Sequence, residues 1–176
     1  MPSLTVPARS RLLFTGAGLA AFGFGAVIVA LNGDDIARAA AGGRLHAPDI
    51  ALILRQPPQL IVHALAAISA LGLGAVALLT RKGSPLHRTA GWSWVVLMAV
   101  VAIGSFQLVG LQGHLSPIHI MSGLTLVLLP LAVHAARAHA VSRHRLLMLW
   151  LYGLVLVGSA AFAFVPGRLM WEIFFG

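Results

Sequence analysis

The chain has 176 residues, 59% of them hydrophobic and only 9% charged, and its mean hydropathy of +0.94 lies outside the range of water-soluble domains and points to an integral membrane protein. With no cysteine it can form no disulfide, thiolate-held iron–sulfur cluster or CxxCH haem attachment, so any cofactor needs other ligands, and eight histidines against four acidic residues make imidazole the obvious one. The formal charge of +8 is expected from arginines at membrane interfaces, since no nucleic-acid-binding motif accompanies it.

Five apolar runs are long enough to cross about 30 Å of hydrocarbon at about 1.5 Å per residue. The first is Leu12–Leu31, behind Arg9 and Arg11. It is too long for a signal peptide and is expected to be a retained anchor, residues 1–31. Ala17, Ala21 and Gly25 recur every four residues along it, a small-residue face for a close helix neighbour. Residues 32–59 form a loop containing "PDIALILRQPP", which reads as a short surface helix bounded by prolines. The core, residues 60–165, holds the other runs, Leu60–Thr80, Leu86–Val109, Ile118–Ala136 and Leu146–Val165, with a tail at 166–176. Short connections make neighbours antiparallel, so the expected fold is an all-α up-and-down bundle of five transmembrane helices in one membrane domain. "GAGLAA" and "GLGAVA" match a dinucleotide fingerprint formally, but neither follows a strand and both are discounted.

Basic residues in the connections set the expected orientation. Arg9, Arg11, Arg81, Lys82, Arg88, Arg137, Arg143 and Arg145 lie on one side, against Arg38, Arg44, Arg55 and Arg168 on the other. The N-terminus is therefore expected in the cytoplasm. Trp92, Trp94 and Trp150 then mark the inner boundary and Trp171 the outer.

Two stretches share one spelling 32 residues apart, "GSPLHRTAG" at 83–91 and "LSPIHIMSG" at 115–123. Ser caps a helix and Pro suits its first position, which explains Ser-Pro and leaves the His at the third position unexplained. Gly91 and Gly123, four residues on, remove a side chain from the same face and leave room for a flat ring. On the expected topology His63 and His119 begin helices at the outer face, and His87 and His144 begin helices at the inner face. Each pair comes from alternate helices. A histidine in a membrane is a functional candidate by default, although each also has a plainer use in helix packing or interface anchoring. Arg88 beside His87 suits the propionates of a haem as well as a lipid interface. His134 competes for an inner ligand position, while His46, His114 and His139 fall in loops.

No HExxH or GxSxG motif is present and the apolar runs hold no acidic residue, which argues against hydrolysis and carboxylate proton pumping. Paired imidazoles suit one or two b haems held from two sides, and less specifically zinc or copper. From His63 onward, "LHRTAGWSWVVLM", "SPIHIMSGLTLVLLPLAV", "RHRLLMLWLYG" and "FVPGRLM" resemble the bacterial membrane-protein family catalogued as domain of unknown function 2306. That resemblance covers about two thirds of the chain; it implies a multi-pass protein of the bacterial inner (cytoplasmic) membrane and supplies no activity. The order and alternation of His63, His87, His119 and His144 is also similar to cytochromes of the b-561 type. That likeness implies two haems, paired second-to-fourth and third-to-fifth helix, passing electrons across the membrane from a quinol or another small reductant. Five spans rather than six, and the short interval from His119 to His144, depart from that pattern. The alternative expectations are a cofactor-free accessory or assembly subunit of a larger complex, with other membrane subunits as partners, and a zinc or copper site at the outer face.

Overall fold

Four of the apolar runs become helices long and apolar enough to cross a bilayer. The computed structural model describes residues 33–34, 37–38, 41–112 and 117–176; the first apolar run, its small-residue face and His114 lie outside them. In chain order come a short α1 (Ile50–Leu54), α2 (Pro58–Leu79), α3 (Pro85–Gln112), α4 (Pro117–Arg137), α5 (Val141–Ala163) and a short α6 (Leu169–Phe175). No strand occurs among the described residues, and "GLGAVA" lies inside α2.

Prolines set most of the starts. Pro58, Pro85 and Pro117 each occupy a first helical position, where the missing N–H costs nothing. Before Pro85, Ser84 acts as the cap, its Oγ accepting from the His87 amide at 3.2 Å, and Gly83, at φ +79°, makes the left-handed turn that leads into it. Asp49 caps α1 in the same way, accepting from the Leu52 amide at 3.2 Å. Helix α5 begins five residues before the apolar run because the polar segment "VSRHR" forms its first turn.

The spans close into a ring. Helix α2 packs on α3, α3 on α4 and α4 on α5, while the middle of α5 touches both α2 and α4. Diagonals of the ring are therefore α2 with α4 and α3 with α5. Between helices in lipid the attraction is close packing rather than removal from water, and α2 supplies a stripe of small buried residues for it: Ala66, Ala70, Gly74 and Ala77. Large residues fill the axis. Trp94, Met98 and Leu151 are at most 1% exposed and join Leu129, Val155 and Leu156 in one core.

Helix α5 is widened over Trp150–Val157 into π geometry. The wide turn buries Leu154, Val155 and Leu156 in succession, which an even α-helical stripe does not do. It also brings Tyr152 across the bundle, where its hydroxyl donates to the Leu71 carbonyl of α2 at 3.1 Å. Beyond the membrane spans, the last carbonyls of α6 have no partners within their own helix. An extended segment supplies them: the amides of Arg44, His46 and Asp49 donate to the carbonyls of Phe175, Phe174 and Ile173 at 3.0–3.1 Å. Helix α6 falls in the tail left unassigned by the sequence, and this pairing docks the 41–57 segment on it.

Candidate functional site

Each of the two histidines at the α2-start end of the bundle heads the packing stripe of its own helix. His63 continues the stripe Ala66–Ala70–Gly74–Ala77 by one further step of three residues. It lies against α3: a Cβ on Gly104 would be 3.5 Å from its Nδ1, and the Val101 main chain is beside the imidazole. Nδ1 itself is buried and closes no hydrogen bond. The other ring nitrogen, Nε2, is neither enclosed nor bonded among the described residues, and His63 lines a groove of about 410 Å3 open at the side of the bundle. That groove runs between one face of α2 (Pro58, Gln59, Val62, His63) and one face of α3 (Val100, Ile103, Gly104, Gln107).

His119 is 5% exposed and meets Phe106, with ring centroids 6.2 Å apart. It heads a buried stripe on α4 that continues through Ser122, Thr125, Leu129 and Ala132. His119, Ser122 and Thr125, with Ser105 of α3, are the buried polar residues of the described chain. Thr125 Oγ1 donates to the Met121 carbonyl at 2.8 Å, and His119 and Ser122 have partners of their own.

The structure places His63 and His119 on diagonal helices. They meet α3 at Gly104 and Phe106 respectively. Two residues at about 100° each set those positions about 200° apart around the helix. Beside Gly123, where room for a flat ring was expected, the Phe106 Cζ would be 4.0 Å from an added Cβ.

At the opposite end, His87 and His144 are used alike. His87 Nδ1 donates to the Ala77 carbonyl of α2 at 3.0 Å, and His144 Nδ1 donates to the Ala132 carbonyl of α4 at 2.9 Å. Each thereby ties its helix to the one before it, closing the α2–α3 and α4–α5 hairpins. A carbonyl only accepts, so Nδ1 carries a proton in each, and Nε2 is the nitrogen left for a ligating role. At the end of α2, Thr80 Oγ1 and Lys82 Nζ also donate to Ala77, at 3.4 and 3.0 Å, so its carbonyl is capped three times.

The remaining expected residues serve the ends of the bundle. Arg88 is exposed. Open space lies beside Gly91. His134 is exposed in the last turn of α4. His139, at φ +55°, makes the left-handed turn that ends α4, and His46 faces the carbonyls of Ala47 and Gly176 at 2.7 and 3.0 Å. Arg137 stands over the Trp92 ring at 5.5 Å. Among the described residues no three His, Asp or Glu side chains converge as a metal site.

Sequence reasoning missed the small-residue stripe on α2, although Ala66, Ala70 and Gly74 recur every four residues. It also missed Gln59 and Gln107, which bracket the groove and whose signal is a polar residue at the very end of an apolar run. Comparison with protein families, with curated proteins and with solved structures finds no match to this chain.

Proposed function

We propose that the chain is an accessory subunit of a multi-pass membrane complex, a bundle whose histidines serve packing and hairpin closure rather than cofactor binding. The observation that carries this reading is the filled axis: Trp94, Met98 and Leu151 are closed on one another at mid-depth, and Tyr152 bolts α5 to α2. The uses of His87 and His144 support it, because each bonds the neighbouring helix of its own hairpin. Helix pairs held by small-residue stripes and interhelical hydrogen bonds are stable in lipid without a prosthetic group. The membrane is the bacterial inner membrane on the family resemblance given by the sequence.

Haem b is the competing reading, and two features favour it: both histidine pairs lie on diagonal helices, and the bonds of His87 and His144 use Nδ1, leaving Nε2 for a ligand. The packing supports the accessory reading over it: His63 and His119 approach α3 from opposite sides, His87 and His144 turn toward different neighbours, and Trp94 is packed in the core. A zinc or copper site at the His63 end is the third reading, with His63 and His119 as its candidate ligands among the described residues.

One preparation separates the three. Protein purified in a mild detergent from haem-replete cells is expected to be colourless, to give no Soret or α band on dithionite reduction, to hold no stoichiometric zinc or copper, and to elute with other chains. A b-type spectrum that weakens in His63→Ala, His119→Ala, His87→Ala or His144→Ala overturns the accessory reading in favour of electron transfer. Stoichiometric metal without a Soret band overturns it in favour of the third.

A further inference from the structure

The groove at His63 has a chemistry of its own, independent of whether the bundle is an accessory subunit. His63 lies five residues into α2, about 7.5 Å below the first residue of the span, so the groove opens sideways just under the membrane surface. Val62, Val100, Ile103 and Pro58 give it apolar walls, and Gln59 and Gln107 stand at its rim. Among the described residues no charged one lines it. With Nδ1 turned to the wall formed by Gly104 and the Val101 main chain, Nε2 is the nitrogen left to the groove, and a neutral ring that keeps its proton on Nδ1, toward that main chain, offers a lone pair there.

We propose that this groove binds the uncharged hydroxyl head of a membrane-soluble molecule, a phenol or an alcohol, with the hydroxyl donating to His63 Nε2 and the amides of Gln59 and Gln107 closing on its polar edge. The lack of a cation among the described lining residues disfavours a phosphate-bearing head, because a buried or half-buried anion needs a paired charge. The volume of about 410 Å3 lies within the range of small-molecule pockets, which combine apolar walls with a few placed polar groups. A ring nitrogen in the membrane without a partner is costly unless something else provides one, and for Nε2 a ligand hydroxyl does.

The test uses the full chain in nanodiscs of phosphatidylcholine with two diazirine photoprobes, a short-tailed hydroquinone and a short-chain diacylglycerol. Saturable labelling of peptides containing residues 58–63 and 100–107 is the expected result. Whichever probe saturates identifies whether the source is a phenol or a lipid alcohol. Removing one neutral hydrogen bond in His63→Leu is expected to weaken half-saturation about fivefold, and Ile103→Trp, which fills the groove from α3, is expected to abolish it. Each variant is first matched to the parent in elution and melting, and Gln107→Leu gives a second reading of the polar edge should His63→Leu fail to fold. Labelling spread evenly over the four spans, labelling unchanged in Ile103→Trp and in the folded polar variants, or equal competition by phosphatidylglycerol overturns the proposal.

Discussion

Replacing Gly74 with alanine puts a methyl group where two aromatic side chains already meet. An added Cβ would be 2.6 Å from Trp94 Nε1 and in overlap with the Tyr152 ring, about 1 Å short of ordinary contact at roughly 3.5–4.0 Å. Neither ring has an easy retreat. Trp94 is 1% exposed, and Tyr152 is tethered through its hydroxyl to Leu71 at 3.1 Å, only three residues from Gly74 on the same helix. Overpacking of this kind costs about 1–3 kcal/mol, against which alanine regains up to about 1 kcal/mol of helix propensity, so the expected net loss is about 1–2 kcal/mol. Gly72, two residues away, is the internal control: it is exposed to lipid and an added Cβ meets nothing within 4 Å, so Gly72→Ala is expected to be neutral or stabilising by up to about 1 kcal/mol. Thermal unfolding in detergent and denaturant titration in mixed micelles measure both. The double variant Gly74→Ala/Tyr152→Leu is expected to recover part of the loss, with a coupling of about 0.5–3 kcal/mol. Gly74→Ala with the stability of the parent, or Gly72→Ala as damaging as Gly74→Ala, would refute the claim that α2, α3 and α5 meet at this glycine.

Two further outcomes test other contacts. Tyr152→Phe keeps the ring and removes the bond to Leu71; interhelical hydrogen bonds in membranes average about 0.6 kcal/mol and reach about 1.7, so a loss in that range is expected in the same unfolding assay, and a neutral result would mean that the hydroxyl contributes nothing. At the end of α2 the Ala77 carbonyl has three donors, so His87→Leu and Lys82→Met are each expected to cost about 0.5 kcal/mol and the pair more than their sum. Hydrogen exchange of residues 76–82 reads this directly, and simple additivity would sink the shared-carbonyl account.

The positions of the spans were legible because their cause is local. A run of apolar residues bounded by Pro58, Pro85 or Pro117 is a helix whatever surrounds it, since backbone groups in lipid must bond within their own segment. The cap at Ser84 was equally legible, being a contact across three residues. The assignment of histidines to alternate helices also followed from the sequence, because short connections dictate antiparallel neighbours.

What His63, His119, His87 and His144 face was not legible. It depends on the rotation of each helix about its axis, and in lipid nearly every face of such a helix is apolar, so hydropathy carries little record of which side turns inward. The π segment of α5 shifts that rotation within one helix, and no pattern in "WLYGLVLV" announces it. Composition and spacing therefore determined a multi-pass helical protein with imidazoles at both ends of its spans. Only the tertiary packing decided that Trp94 and Tyr152 fill the axis, that His87 and His144 close hairpins, and that His63 opens on a groove. Those outcomes are contacts between residues far apart in the chain, fixed by which small residue lies opposite which large one.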